Sequence, residues 1–212
     1  MLGGSFNPIH HGHLLMADEV LEALGLDRVV FVPAAVPPHK PAADLAPAAD
    51  RYEMVRLAVA GHPGFAVSDV ELSRPGPSYT VDTLATLAAA GDALFLVLGS
   101  ETFLDLLAWR EPRRVAALAR LVVVPRAGSA FAPESAAAQK VLREAGVEGG
   151  FADATHGEVP PRRALIVRAT SLPISGSDLR RRFREGRSVA YRMPPEAAAY
   201  ARARGLYRAA RG

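Results

Sequence analysis

Gly3-Gly4-Ser5-Phe6-Asn7-Pro8-Ile9-His10-His11-Gly12-His13 opens the chain and runs directly into the amphipathic stretch His11–Leu24. Glycines let a backbone approach a phosphate closely, and the helix start that follows offers free N–H groups and the positive end of a dipole. His10 and His13 stand three apart, so on a helical turn they share a face. Two imidazoles there can donate to phosphate oxygens whose charge grows in a transition state. Three histidines within four residues could instead hold a metal, but hydrolytic metal sites usually add carboxylates and none is adjacent, so no metal ligand is assigned.

Outward from this turn, short β-branched runs alternate with longer amphipathic ones. Strands are expected over Arg28–Val32, Phe65–Val70, Ala93–Leu98, Leu121–Val124 and Ala164–Arg168. Helices are expected over His11–Leu24, Asp50–Ala60, Tyr79–Ala89, Glu101–Leu107, Pro112–Leu118, Pro133–Glu144, Ser175–Arg184 and Pro195–Ala203. Runs such as Phe95-Leu96-Val97-Leu98 are apolar throughout, as in strands covered on both faces. The expectation is an α/β fold: a doubly wound, mostly parallel sheet with helices on both faces and ligands beyond the strand carboxyl ends. Residues 1–212 read as a single domain whose C-terminal helical part begins near residue 171. Pro33–Ala49, with five prolines, and Gly146–Arg163 read as loops. Only Met1 and Leu2 precede the glycine turn where a strand should stand. The first strand is therefore expected to be nearly absent, or the start truncated or misassigned.

Composition narrows the class. No cysteine is present, which excludes disulfides, thiolate catalysis and Cys-ligated zinc. No run of eighteen apolar residues and no signal segment occur, so neither a membrane partner nor export is expected, and a cytoplasmic location is. The net charge is a modest +3, and Lys40 and Lys140 are the only lysines among 25 Lys and Arg residues. That arginine bias weakens any single arginine as a signal and draws attention to Lys40. Arg162–Arg163 and Arg180–Arg187 could serve a nucleic-acid-binding module. Aromatics make up only 7% of the chain and do not interleave with these arginines, so no nucleic-acid partner is expected. A homo-oligomer is left open.

A second constellation lies near the other end, at Ile174-Ser175-Gly176-Ser177-Asp178-Leu179-Arg180. Ser175 is a good N-cap and Arg180 falls on the next turn, an arrangement suited to phosphates. Gly4-Ser5-Phe6-Asn7-Pro8 with His10-x-Gly12-His13, together with this segment, resembles the paired signatures of the H-x-G-H nucleotidyltransferase superfamily. The segment is similar to that family's I-S-x-T-x-I-R, with Ser177 and Leu179 as replacements. Val32-Pro33 with Pro37-Pro38-His39-Lys40, Arg51 through Met54 to Ala58, and Ser78-Tyr79-Thr80-Val81-Asp82-Thr83-Leu84 resemble the nicotinate-nucleotide adenylyltransferase branch. So do Gly99-Ser100-Glu101, Leu104-Asp105-Leu106, Trp109, Val122–Arg126 and Gly205-Leu206-Tyr207. Glu101 departs from the family's usual Asp by one methylene.

The resemblance implies adenylyl transfer from ATP to nicotinate mononucleotide, with Mg²⁺ held mainly by the ATP phosphates. It implies catalytic roles for His13, His10, Lys40 and Arg180. ATP would be bound by Gly4, Ser5, Phe6, Gly12, Gly99, Glu101, Ile174, Ser175 and Ser177. The acceptor would be bound by Asn7, His39, Tyr79, Thr80 and Trp109. An acceptor phosphate with a second pKa near 6 is already a nucleophile at pH 7, so no general base is required. The same chemistry on nicotinamide mononucleotide, phosphopantetheine or in a cytidylyl transfer stays open. His10 argues against phosphopantetheine, because those enzymes typically replace it.

Overall fold

Alternation along the strands decides what each face of the sheet covers. The computed structural model describes residues 1–39, 41, 43, 45–126, 128–154 and 162–208. The strands are β1 (Leu2–Gly4), β2 (Val29–Pro33), β3 (Phe65–Val67), β4 (Phe95–Gly99), β5 (Arg120–Val124), β6 (Phe151–Asp153) and β7 (Ala164–Ile166). They lie in the order β3-β2-β1-β4-β5-β7-β6, and every pairing among them is parallel. The helices are α1 (His11–Leu24), α2 (Ala48–Val59), α3 (Thr80–Ala88), α4 (Ser100–Leu104), α5 (Pro112–Leu118), α6 (Ala136–Ala145), α7 (Gly176–Arg184) and α8 (Pro195–Ala203).

Successive strand residues point to opposite faces. Phe31, Val97, Val122 and Val124 join Ala17 and Val20 of α1, Met54 and Val55 of α2, Leu179 of α7 and Ala197 and Ala201 of α8 in one buried cluster. Their neighbours Val32, Leu96, Leu98, Leu121 and Val123 join Val81 and Leu84 of α3, Phe103 of α4, Val115 of α5 and Val141 and Leu142 of α6 in another. The sheet is thus doubly wound, as expected, and parallel throughout the described strands. Asp50, 4% exposed, ties α2 to α8 by accepting from Tyr200 Oη at 2.8 Å and Arg204 Nε at 3.0 Å. No helix among the described residues is long and apolar enough to cross a membrane.

Several expected boundaries move. A first strand does form, and it takes in Gly3 and Gly4, which the sequence reading placed in a turn: Leu2 pairs with Phe31 of β2 and with Val97 of β4. Two of its three residues are glycines, so pairing on both sides, not intrinsic propensity, makes it a strand. Within Gly146–Arg163, Phe151–Asp153 forms the edge strand β6 against β7, and positions 155–161 of that segment lie outside the described residues. Helix α2 begins at Ala48, inside the loop expected to reach Ala49. The helix expected over Glu101–Leu107 is divided into α4 and a single 3-10 turn at Leu106–Ala108, broken at Asp105.

Strand order reverses between β1 and β4. In open parallel sheets such a switch point leaves a crevice beyond the strand carboxyl ends. The turn from Ser5 to His10 sits there.

Candidate active site

The cavity at this switch point encloses about 400 Å³ and is floored by Gly3 and Gly4 of β1, Ser5 just after it and Gly99 at the end of β4. His10, Gly12 and His13 form one wall. His10 caps α1, is 8% exposed, and stacks on His13 with ring centroids 3.7 Å apart. Burial, with the neighbouring Arg126 and His11 charges adding to it, pulls the His10 imidazole down to about 4, so it is neutral at pH 7. The His10 backbone N–H donates to His13 Nδ1 at 3.3 Å. In a neutral His13 ring the proton therefore sits on Nε2, which makes that nitrogen a donor. Gly12 has a steric reason: a Cβ there would lie 3.1 Å from His10 Nδ1 and 3.2 Å from Cε1.

Below the wall, Phe6 is buried at 2% exposure with φ 42, a left-handed conformation that a residue with a Cβ adopts at a cost of roughly 1–2 kcal/mol. Its ring meets the edge of His13 at 5.2 Å and Phe31 at 5.9 Å, so packing holds the bend. The Asn7–Pro8 peptide is cis.

The structure divides the expected site residues in two. Gly4, Ser5, His10, Gly12, His13, His39, Thr80, Gly99, Trp109 and Ile174 all face the cavity. Among the described residues, the others stand beside or behind it. Asn7 is buried, its Oδ1 accepting from Ala46 N–H at 3.0 Å and its carbonyl from Arg180 Nη1 at 2.8 Å. Arg180 Nη2 also donates to Ser177 Oγ at 3.3 Å, and Ser175 Oγ accepts from the Asp178 N–H at 3.2 Å to cap α7. Tyr79 packs on the core beneath Arg110, whose guanidinium lies 4.9 Å from its ring centre. Glu101 is exposed and pairs at 3.6 Å with Arg126, which lines the cavity. Lys40 lies outside the described residues.

Three features escaped the sequence reading or entered it only inside a resemblance. Arg126 follows β5 and brings positive charge to the cavity beside His10. Ser78 and Val36 clamp the start of α3 to the segment after β2, Ser78 N–H donating to the Val36 carbonyl at 2.9 Å and Val36 N–H to Ser78 Oγ at 3.1 Å. Arg51, 1% exposed, donates from Nε to the Ala46 carbonyl at 2.8 Å, from Nη1 to the Ser5 and Ala34 carbonyls at 2.8 and 2.6 Å, and from Nη2 to that of Ala35 at 3.1 Å. In so arginine-rich a chain Arg51 entered the sequence reading only as part of a resemblance, with no role attached. By contrast, the α7 run is partly self-neutralised: Asp178 accepts from Arg181 and Arg182, which hold its carboxyl down at about 2.

Residues 1–182 match the model of the cytidylyltransferase-like family. A probable nicotinate-nucleotide adenylyltransferase of Roseiflexus sp. (strain RS-1) is 42% identical over 210 residues, covering 98% of this chain and 96% of the relative. The enzyme of the same printed name from Thermus thermophilus is 43% identical, covering 98% of each chain. This chain belongs to the nicotinate-nucleotide adenylyltransferases. The fold agrees with solved structures: Plasmodium falciparum nicotinic acid mononucleotide adenylyltransferase complexed with NaAD superposes with a TM-score of 0.71 at 16% identity, over 97% of this chain and 95% of that one. The family's two signature segments meet in space, because Arg180 of the second grips the Asn7 carbonyl of the first.

Proposed function

We propose that the protein transfers the adenylyl group of ATP to the phosphate of nicotinate mononucleotide, giving nicotinate adenine dinucleotide and pyrophosphate. The observation that carries this reading is the stacked His10–His13 pair on the wall of the switch-point cavity, above a glycine turn and at a helix start. An acceptor phosphate oxygen attacks the α-phosphorus, the bond to the β-phosphate bridge breaks, and pyrophosphate leaves. The task is electrostatic, since two polyanions must meet in line.

His13 donates from Nε2 to the α-phosphate, and neutral His10 supports the same oxygens. Arg126 adds positive charge where the triphosphate lies. Gly4, Ser5, Phe6, Gly12 and Gly99 shape the ATP floor, with Glu101 at its rim. Ile174, Ser175, Ser177 and Arg180 serve the pyrophosphate side, Arg180 in part by holding the turn. Trp109 stacks on the pyridine ring, the backbone around Tyr79 and Thr80 receives its carboxylate, and Asn7, His39 and Lys40 complete the acceptor side. Mg²⁺ would neutralise charge on the phosphates when bound. Among the described residues no group of three His, Cys, Asp or Glu is placed to cage a metal. A cytoplasmic, single-domain enzyme fits the cysteine-free chain.

Pyrophosphate release measured with ATP, Mg²⁺ and the acid and amide mononucleotides in turn tests the reading. Turnover with the acid well above that with the amide is expected. Equal or greater turnover with the amide would overturn the choice of acceptor, and no release with either would overturn the chemistry.

A further inference from the structure

Arg51 is the largest side chain among the fully buried ones, and its four hydrogen bonds to protein all end on backbone carbonyls. Those carbonyls belong to three segments, Ser5 in the turn, Ala34 and Ala35 after β2, and Ala46 before α2, and of them Ser5 and Ala34 line the cavity. A guanidinium is always charged in a protein, so these are charge-assisted bonds, shorter and stronger than neutral ones. The bond to Ser5 has a consequence on the other side of the peptide. In a trans peptide the C=O and the following N–H point in opposite directions. The Ser5–Phe6 peptide is trans, since Asn7–Pro8 is the only cis bond among the described residues. Gly4 O is also engaged on the β2 side, accepting from Ala34 N–H at 2.9 Å. Arg51 approaches from that β2–α2 side, so the Phe6 N–H is turned away from the guanidinium.

We propose that Arg51 is a positioning residue for adenylyl transfer: by gripping the Ser5 carbonyl from behind it aims and polarises the Phe6 N–H as a donor to the α-phosphate. The inference rests on the adenylyl-transfer reading. A cation on the carbonyl draws electron density from the whole amide, which makes the opposite N–H a stronger donor. Such a fixed donor acts most where charge develops, so its loss falls on turnover more than on ground-state binding. The same guanidinium fixes the Ala34–Ala35 segment that leads to His39, and so holds the turn and the acceptor-side wall in one register.

Arg51→Lys keeps the charge but replaces the planar fork with a point donor. Its kcat is expected to fall by about tenfold to a hundredfold, with KM for ATP held within about threefold, measured well below its melting temperature. A lowered melting temperature with wild-type kcat would reduce Arg51 to a structural role and overturn the proposal, as would a loss carried wholly by KM. Wild-type turnover is the reference: its absence would sink the adenylyl reading itself, a result distinct from failure of this inference. Should the variant not fold, the wild-type protein still decides. With ¹⁵N-phenylalanine labelling, and the Phe6 amide identified by its loss in Phe6→Tyr, that amide proton should move downfield on adding α,β-methylene-ATP. An unmoved Phe6 amide under saturating analogue would overturn the proposal.

Discussion

The two helix beginnings that carry the family signatures both read as phosphate sites in sequence and differ in the structure. At α1, the glycine turn and both imidazoles face the cavity. At α7, only Ile174 does, while Ser175 caps the helix and Arg180 reaches back to Asn7. One start lines the cavity and the other braces the turn beside it. The lesson is that a phosphate-friendly motif can act through the backbone of another motif. Arg180 and Arg51 grip neighbouring carbonyls of the same turn, at Asn7 and Ser5, from two different helices.

This contrast can be broken at graded cost. The largest effect is expected at the facing start: His13→Ala should lower kcat by about 10²–10³-fold, the loss typical of one donor to a developing charge, with KM for ATP little changed. Steady-state rates would show it, and an unaltered kcat would remove His13 from the chemistry. His10 gives the next largest, as an acid-side loss of stability. Its folded value of about 4 lies below the ordinary 6.5, so the unfolded chain binds the extra proton between those pH values. Stability should fall as pH drops through that window, by about 3–4 kcal/mol at most, roughly three-hundredfold in the folding constant. Denaturant titrations of wild type and His10→Asn should diverge there and run parallel above pH 7.

Smaller effects come from the glycines that seat each start. Gly12→Ala would press a methyl group on His10 and should reduce kcat by about tenfold through displacement of the stacked pair. Gly176→Ala would place a Cβ 3.0 Å from the Asn7 carbonyl and 3.3 Å from Arg180 Nη1. Loosening a brace should cost only about threefold, seen equally with both substrates. A Gly176→Ala loss exceeding that of Gly12→Ala would reverse the proposed division between facing and bracing starts.

The sheet, its parallel sense and seven of the eight helices were legible in the sequence because apolar periodicity records burial directly. Helix α4 was legible in existence but not in extent. The two strands that sequence reading missed, β1 and β6, are three residues each, and β1 exists by pairing on both sides. The cavity wall was legible at His10, Gly12 and His13, where spacing on a helical turn forces neighbours together. Arg51 was not, because its partners are carbonyls at positions 5, 34, 35 and 46, and no local pattern records a bond to a distant backbone. Arg180 was read as a phosphate-site residue, and its grip on Asn7, which spans 173 positions, leaves no local trace.

The most direct test is a crystal structure with α,β-methylene-ATP. Adenylyl transfer over the glycine turn predicts the α-phosphate within hydrogen-bond reach of His13 Nε2 and the Phe6 N–H. A triphosphate lodged along α7, with both imidazoles unengaged, would contradict it.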